Sequence, residues 1–124
     1  MNLIASRALR GIVFFACTLT ASSAFAHAHL KQQSPAADTE VSTTPQSLTL
    51  RFSEGIEGKF SGITLKGPQH EAIQTGPAAV NEKDDKQLIV PLTQALKSGT
   101  YTVNWHVVSV DGHKTQGQYH FSVK

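Results

Sequence analysis

From residue 27 onward the apolar positions recur every second residue. Leu48, Leu50 and Phe52 alternate with Thr49, Arg51 and Ser53. Val103, Trp105 and Val107 share one face of the run that starts at Tyr101, and Gly117, Tyr119, Phe121 and Val123 share one face of the last run. Side chains of a strand point alternately to its two faces, so this period marks strands with one face in a core. The runs at 60–66 and 87–92 are further strand candidates, and a first strand is expected at 29–33. Turn signals separate these runs: Ser34-Pro35, Thr44-Pro45, Gly67-Pro68, Gly76-Pro77, Lys83-Asp84-Asp85-Lys86 and Ser98-Gly99. A short helical turn is expected at 93–96, and no long segment has a helical period. About seven short strands in roughly 100 residues predict an all-β fold, a Greek-key immunoglobulin-like β-sandwich or barrel.

The first 26 residues follow a different rule. Arg7 and Arg10 precede an apolar stretch at 11–20 that includes Ile12, Val13, Phe14, Phe15 and Leu19, and Ala24-Phe25-Ala26 follows. A positive start, an apolar centre and a small-x-small end make a secretory signal, cut after Ala26. The apolar centre falls short of the about 20 residues that a membrane span needs. Cys17 lies in that stretch, but Phe14-Phe15-Ala16 fits a lipidation box poorly. The chain therefore divides into a signal peptide, 1–26, and one exported β-domain, 27–124.

Cleavage changes the chemistry on offer. Taking Arg7 and Arg10 from eleven basic residues leaves nine, against nine acidic ones. A formally neutral domain has no electrostatic case for binding nucleic acid. Cys17 and Met1, the sole cysteine and the sole methionine, leave with the signal. The exported domain offers a metal only nitrogen and oxygen.

It also begins with a histidine. His27 would carry a free α-amine, whose proton has a pKa of about 7.7–8.0 and yields to a metal near neutral pH. Amine and imidazole Nδ1 of one histidine close a chelate ring. The strand around Trp105 runs into Asp111-Gly112-His113, where residues two apart in an extended backbone aim a carboxylate and an imidazole at one point. His27, Asp111 and His113 together give three nitrogens and one oxygen, a set suited to tetragonal Cu(II) and, without sulfur, unsuited to Cu(I). A second arrangement remains open. His27-Ala28-His29 is also an amino-terminal copper motif, in which the amine, two deprotonated amides and the His29 imidazole surround the metal. Pairing of 29–33 in a sheet would commit those amides, which favours the folded site. His106 and His120 alternate away from apolar neighbours and His70 lies in a turn, so all three are expected in solvent. Trp105 is expected in the core.

These residues resemble the CopC-type periplasmic copper-resistance proteins. The likeness spans the exported chain: His27 at the cut, Ser34-Pro35-Ala36, Leu48-x-Leu50-x-Phe52-Ser53-Glu54, Gly99-Thr100-Tyr101-x-Val103-x-Trp105, Val107-Val108-Ser109-x-Asp111-Gly112-His113, Gly117 and Phe121-Ser122-Val123. The resemblance implies a Greek-key β-fold that binds Cu(II) through the N-terminal amine and imidazole of His27 with Asp111 and His113, and Glu54 as a weak or indirect contact. Members with a methionine-rich loop also bind Cu(I); this chain has no methionine after Met1. A periplasmic protein that sequesters or carries Cu(II), and is not an enzyme, is the function expected. Its partners would be the copper ion and an inner-membrane copper transporter or another periplasmic copper protein. The alternatives are a small N-terminal-histidine copper oxidase and a metal-free immunoglobulin-like interaction module.

Overall fold

The alternating runs pair into two sheets that face one another across a single core. A computed structural model describes residues 28–124. The signal segment 1–26 and His27 lie outside the described residues. The strands are β1 (Leu30–Ser34), β2 (Glu40–Val41), β3 (Ser47–Phe52), β4 (Gly62–Lys66), β5 (Ala72–Ile73), β6 (Ala79–Asn81), β7 (Asp84–Pro91), β8 (Gly99–Val108) and β9 (Lys114–Val123). One sheet has the order β1-β3-β7-β6 and the other β2-β9-β8-β4-β5. Neighbours are antiparallel, except that β2 runs parallel to β9. Connections cross repeatedly between the sheets, which makes the fold the expected β-sandwich. No helix of the described residues is long and apolar enough to cross a membrane.

Period two decides which side chains meet between the sheets. Leu48, Leu50 and Phe52 of β3 and Leu88 and Val90 of β7 are buried from one side; Tyr101, Val103, Trp105 and Val107 of β8 and Tyr119, Phe121 and Val123 of β9 are buried from the other. Phe52 meets Trp105 edge to face, with ring centroids 5.1 Å apart and planes at 66°. That pair joins the two sheets, because β3 and β8 belong to different ones. Trp105 lies opposite Gly117 in the β8–β9 register, and a Cβ at 117 would come within 2.6 Å of the indole. Glycine there makes room for the ring.

Three expectations need correction. Nine strands form among the described residues where about seven were expected; the additions, β2, β5 and β6, are two or three residues long. The helical turn at 93–96 does not form. Leu96 is instead buried and donates its backbone N–H to Thr44 Oγ1 at 2.8 Å, and so short a segment cannot repay helix nucleation. The turn expected over 83–86 contracts to Glu82 and Lys83, and Asp84 to Lys86 join β7. A single 3-10 turn, Gly58–Phe60, stands before β4.

Candidate metal centre

The β8–β9 hairpin runs in unbroken register from Gly99↔Val123 to Val108↔Lys114. Its tip, residues 109–113, is folded by its own backbone. Ser109 N–H donates to the His113 carbonyl at 2.9 Å and Gly112 N–H to the Ser109 carbonyl at 2.8 Å. Gly112 has φ +92°, a conformation that glycine adopts without steric cost. The tip is also tied to the loop after β3: Val110 N–H donates to the Gly55 carbonyl at 2.9 Å, Glu57 N–H to the Val108 carbonyl at 2.8 Å, and Ile56 bridges Ser109.

This turn brings Asp111 and His113 together. His113 Nδ1 lies 3.0 Å from Asp111 Oδ1, and His113 N–H reaches the same oxygen at 3.3 Å. The Ser109 hydroxyl also donates to Asp111 Oδ1, in a very short contact. Hydrogen bonds from Ser109 and then His113 stabilise the ionised carboxylate and pull its pKa from 3.8 down to about 2. The Asp111 and His113 side chains are 39% and 46% exposed. The pair arises from a turn and not, as the extended-backbone argument had it, from a strand face.

The start of the described chain lies at the same end of the sandwich. Ala28 is 1% exposed, and its carbonyl accepts a hydrogen bond from Thr115 Oγ1 at 3.0 Å, two residues beyond His113 on β9. His29 N–H donates to Ser53 Oγ at 2.8 Å, and Ser53 N–H returns a bond to the His29 carbonyl at 2.8 Å. The chain end is thus fastened between the end of β3 and the start of β9. Because the His29 amide is committed to Ser53, the planar amino-terminal motif would have to break that bond before deprotonating it. The His29 residue itself is exposed.

Among the described residues, no group of three His, Cys, Asp or Glu side chains converges as a metal site. Asp111 and His113 supply one oxygen and one nitrogen; His27, the third candidate, lies outside the described residues. Glu54, next to Ser53, has its Oε2 buried with no hydrogen-bond partner. Burying an unsatisfied carboxylate oxygen costs free energy unless a cation or donor meets it. Nitrogen and oxygen donors without sulfur fit divalent copper. His70, His106 and His120 are exposed, as expected, with His120 Nδ1 3.0 Å from Thr102 Oγ1. A surface concavity of about 630 Å³ opens beside the hairpin between Phe60, His106 and Lys114; it gathers no second set of ligands.

Two contributors escaped the sequence reading. Ser109 was visible only as a member of a motif, without a role, and Thr115 as one more polar strand residue. The detectable sign for Ser109 is a polar residue just past the end of β8, where the inward alternation of Tyr101, Val103, Trp105 and Val107 would continue.

Comparison with known proteins identifies the family. Residues 30–124 match the family model described as the CopC domain. Protein YobA of Escherichia coli strain K12 is 57% identical over 120 residues, covering 96% of this chain and 97% of that protein. The crystal structure of CopC from Methylosinus trichosporium OB3b superposes with a TM-score of 0.74 at 30% identity, over 79% of this chain and 94% of that one. PcoC, described as a methionine-rich copper resistance protein from Escherichia coli, superposes with a TM-score of 0.70 at 35% identity, over 79% and 99%. With a hairpin that pairs aspartate and histidine beside a buried N-terminal anchor, and with these relatives, the chain belongs to the CopC family.

Proposed function

We propose that this protein is a periplasmic Cu(II) carrier or buffer with one site, formed by the amine and imidazole of His27 with Asp111 and His113. The observation that carries the reading is the Thr115–Ala28 hydrogen bond, 3.0 Å long, which fastens the residue after His27 two positions from His113. One peptide link spans about 3.8 Å between Cα atoms, so cleavage after Ala26 would release an amine within reach of the hairpin tip. PcoC, described as a copper resistance protein, suggests the metal, and the nitrogen–oxygen donor set supports the divalent ion. PcoC is described as methionine-rich, whereas the only methionine here is Met1; this supports one Cu(II) site and no Cu(I) site. Glu54 is assigned a weak or indirect contact through its orphaned oxygen. The role is carriage, with a copper transporter or another copper protein as the receiver, and involves no catalysed reaction.

The test is a Cu(II) titration of the domain beginning at His27, followed by Trp105 fluorescence. One equivalent should quench the signal. One residue added before His27 moves the amine out of the chelate ring, and His113→Ala removes a ligand; each should weaken binding by orders of magnitude, while His29→Ala costs less. Unchanged affinity in the extended form, or a larger loss from His29→Ala than from His113→Ala, would overturn the assignment.

A further inference from the structure

We propose that Ser109 is the positioning residue that makes Asp111 a one-oxygen ligand and so favours square-planar Cu(II). This rests on the copper reading above. Ser109 lies just past the end of β8, where the inward alternation of Tyr101, Val103, Trp105 and Val107 would continue, and it is 0% exposed. Burial alone would place an apolar side chain there, because a buried hydroxyl must find a partner to offset its lost hydration. Its backbone already bonds to His113 and bridges Ile56, so the fold does not require the hydroxyl. The hydroxyl has two acceptors in reach, Asp111 Oδ1 and, at 3.3 Å, the His113 carbonyl. Local rules of burial give way most often at functional sites.

The consequence is an asymmetric carboxylate. Asp111 Oδ1 accepts hydrogen bonds from Ser109 Oγ and, at 3.3 Å, from His113 N–H. An ionised carboxylate offers about two acceptor sites per oxygen, so Oδ1 is saturated. Among the described residues no hydrogen bond falls on Oδ2, which is left for an ion. One oxygen in a fixed direction fills one corner of a square plane. A carboxylate free to swing would lose that fixed direction, which costs a square-planar metal more than Zn(II), whose d-electrons impose no geometry.

The experiment compares the wild-type domain beginning at His27 with Ser109→Ala and Ser109→Thr, in three measurements. In the metal-free protein, three-bond Hα–Hβ couplings should show one Asp111 rotamer in wild type and averaging in Ser109→Ala. On Cu(II) titration, Ser109→Ala should lose roughly 10–100-fold in affinity, with a smaller loss for Zn(II) and a changed EPR spectrum. Its thermal midpoint without metal should not fall, since the variant makes a core position apolar. Ser109→Thr, which keeps the hydroxyl, should restore the couplings and the EPR spectrum. Wild-type uptake of copper with the same affinity and spectrum in Ser109→Ala overturns this inference alone. A metal-free thermal midpoint that falls in step with affinity marks Ser109 as structural and overturns it too. A wild-type domain that takes up no copper overturns the underlying reading and this inference together.

Discussion

The body and the tip of the β8–β9 hairpin are built from one continuous stretch of chain under opposite rules. In the body, inward residues from Tyr101 to Val107 are apolar, buried and registered against Phe121, Tyr119, Gly117 and Thr115. At the tip, the inward residue is a serine, the turn residues are exposed, and every side chain that matters is polar. Body contacts reach across the sandwich, as Phe52 does to Trp105. The side-chain hydrogen bonds of the tip stay within its own five residues, and its backbone reaches only the loop after β3. Stability should therefore lie in the body, and ligand chemistry in the tip.

The sharpest way to break this division is Phe52→Ala. Phe52 is fully buried and packs on Trp105, so the loss should be about 3–5 kcal/mol, read as a fall in denaturation midpoint. Copper should still bind to whatever fraction remains folded. Gly117→Ala tests the close approach within the body: a Cβ placed 2.6 Å from the indole forces Trp105 to shift, at about 1–3 kcal/mol, with a change in its fluorescence before any copper is added. The smallest effect belongs to the tip. The folded pKa of Asp111 lies below its ordinary value, so its contribution to stability is full above pH 3.8 and fades as pH falls towards about 2. In the metal-free domain, Asp111→Asn should flatten that part of the acid-unfolding curve by removing the contribution at neutral pH, a small loss because the carboxylate is 39% exposed. A large neutral-pH loss would mean that the tip supports the fold.

The same contrast explains what could be read from the sequence. Body strands were legible because burial on one face imposes period two; Leu48-Leu50-Phe52 and Val103-Trp105-Val107 announce both partners of the central contact. The short strands β2, β5 and β6 were not, since two or three residues cannot display a period. Residues 93–96 misled because an apolar Leu96 within a polar run suggests a helix, whereas its burial and the Thr44 hydroxyl decide the conformation. Asp111 and His113 were legible as ligand types at close spacing. What brings them together was not, because it depends on a turn, a glycine at φ +92° and a buried hydroxyl. His27 was chosen from its place after Ala24-Phe25-Ala26, an argument about processing that the described residues leave where the sequence put it.

The Thr115–Ala28 bond joins positions 87 residues apart, the first strand's approach and the last strand's beginning. Local hairpins close quickly, while a loop of that span is among the slowest contacts to form. On the proposed copper site, metal capture would therefore wait until β9 has docked beside the chain that leads into β1.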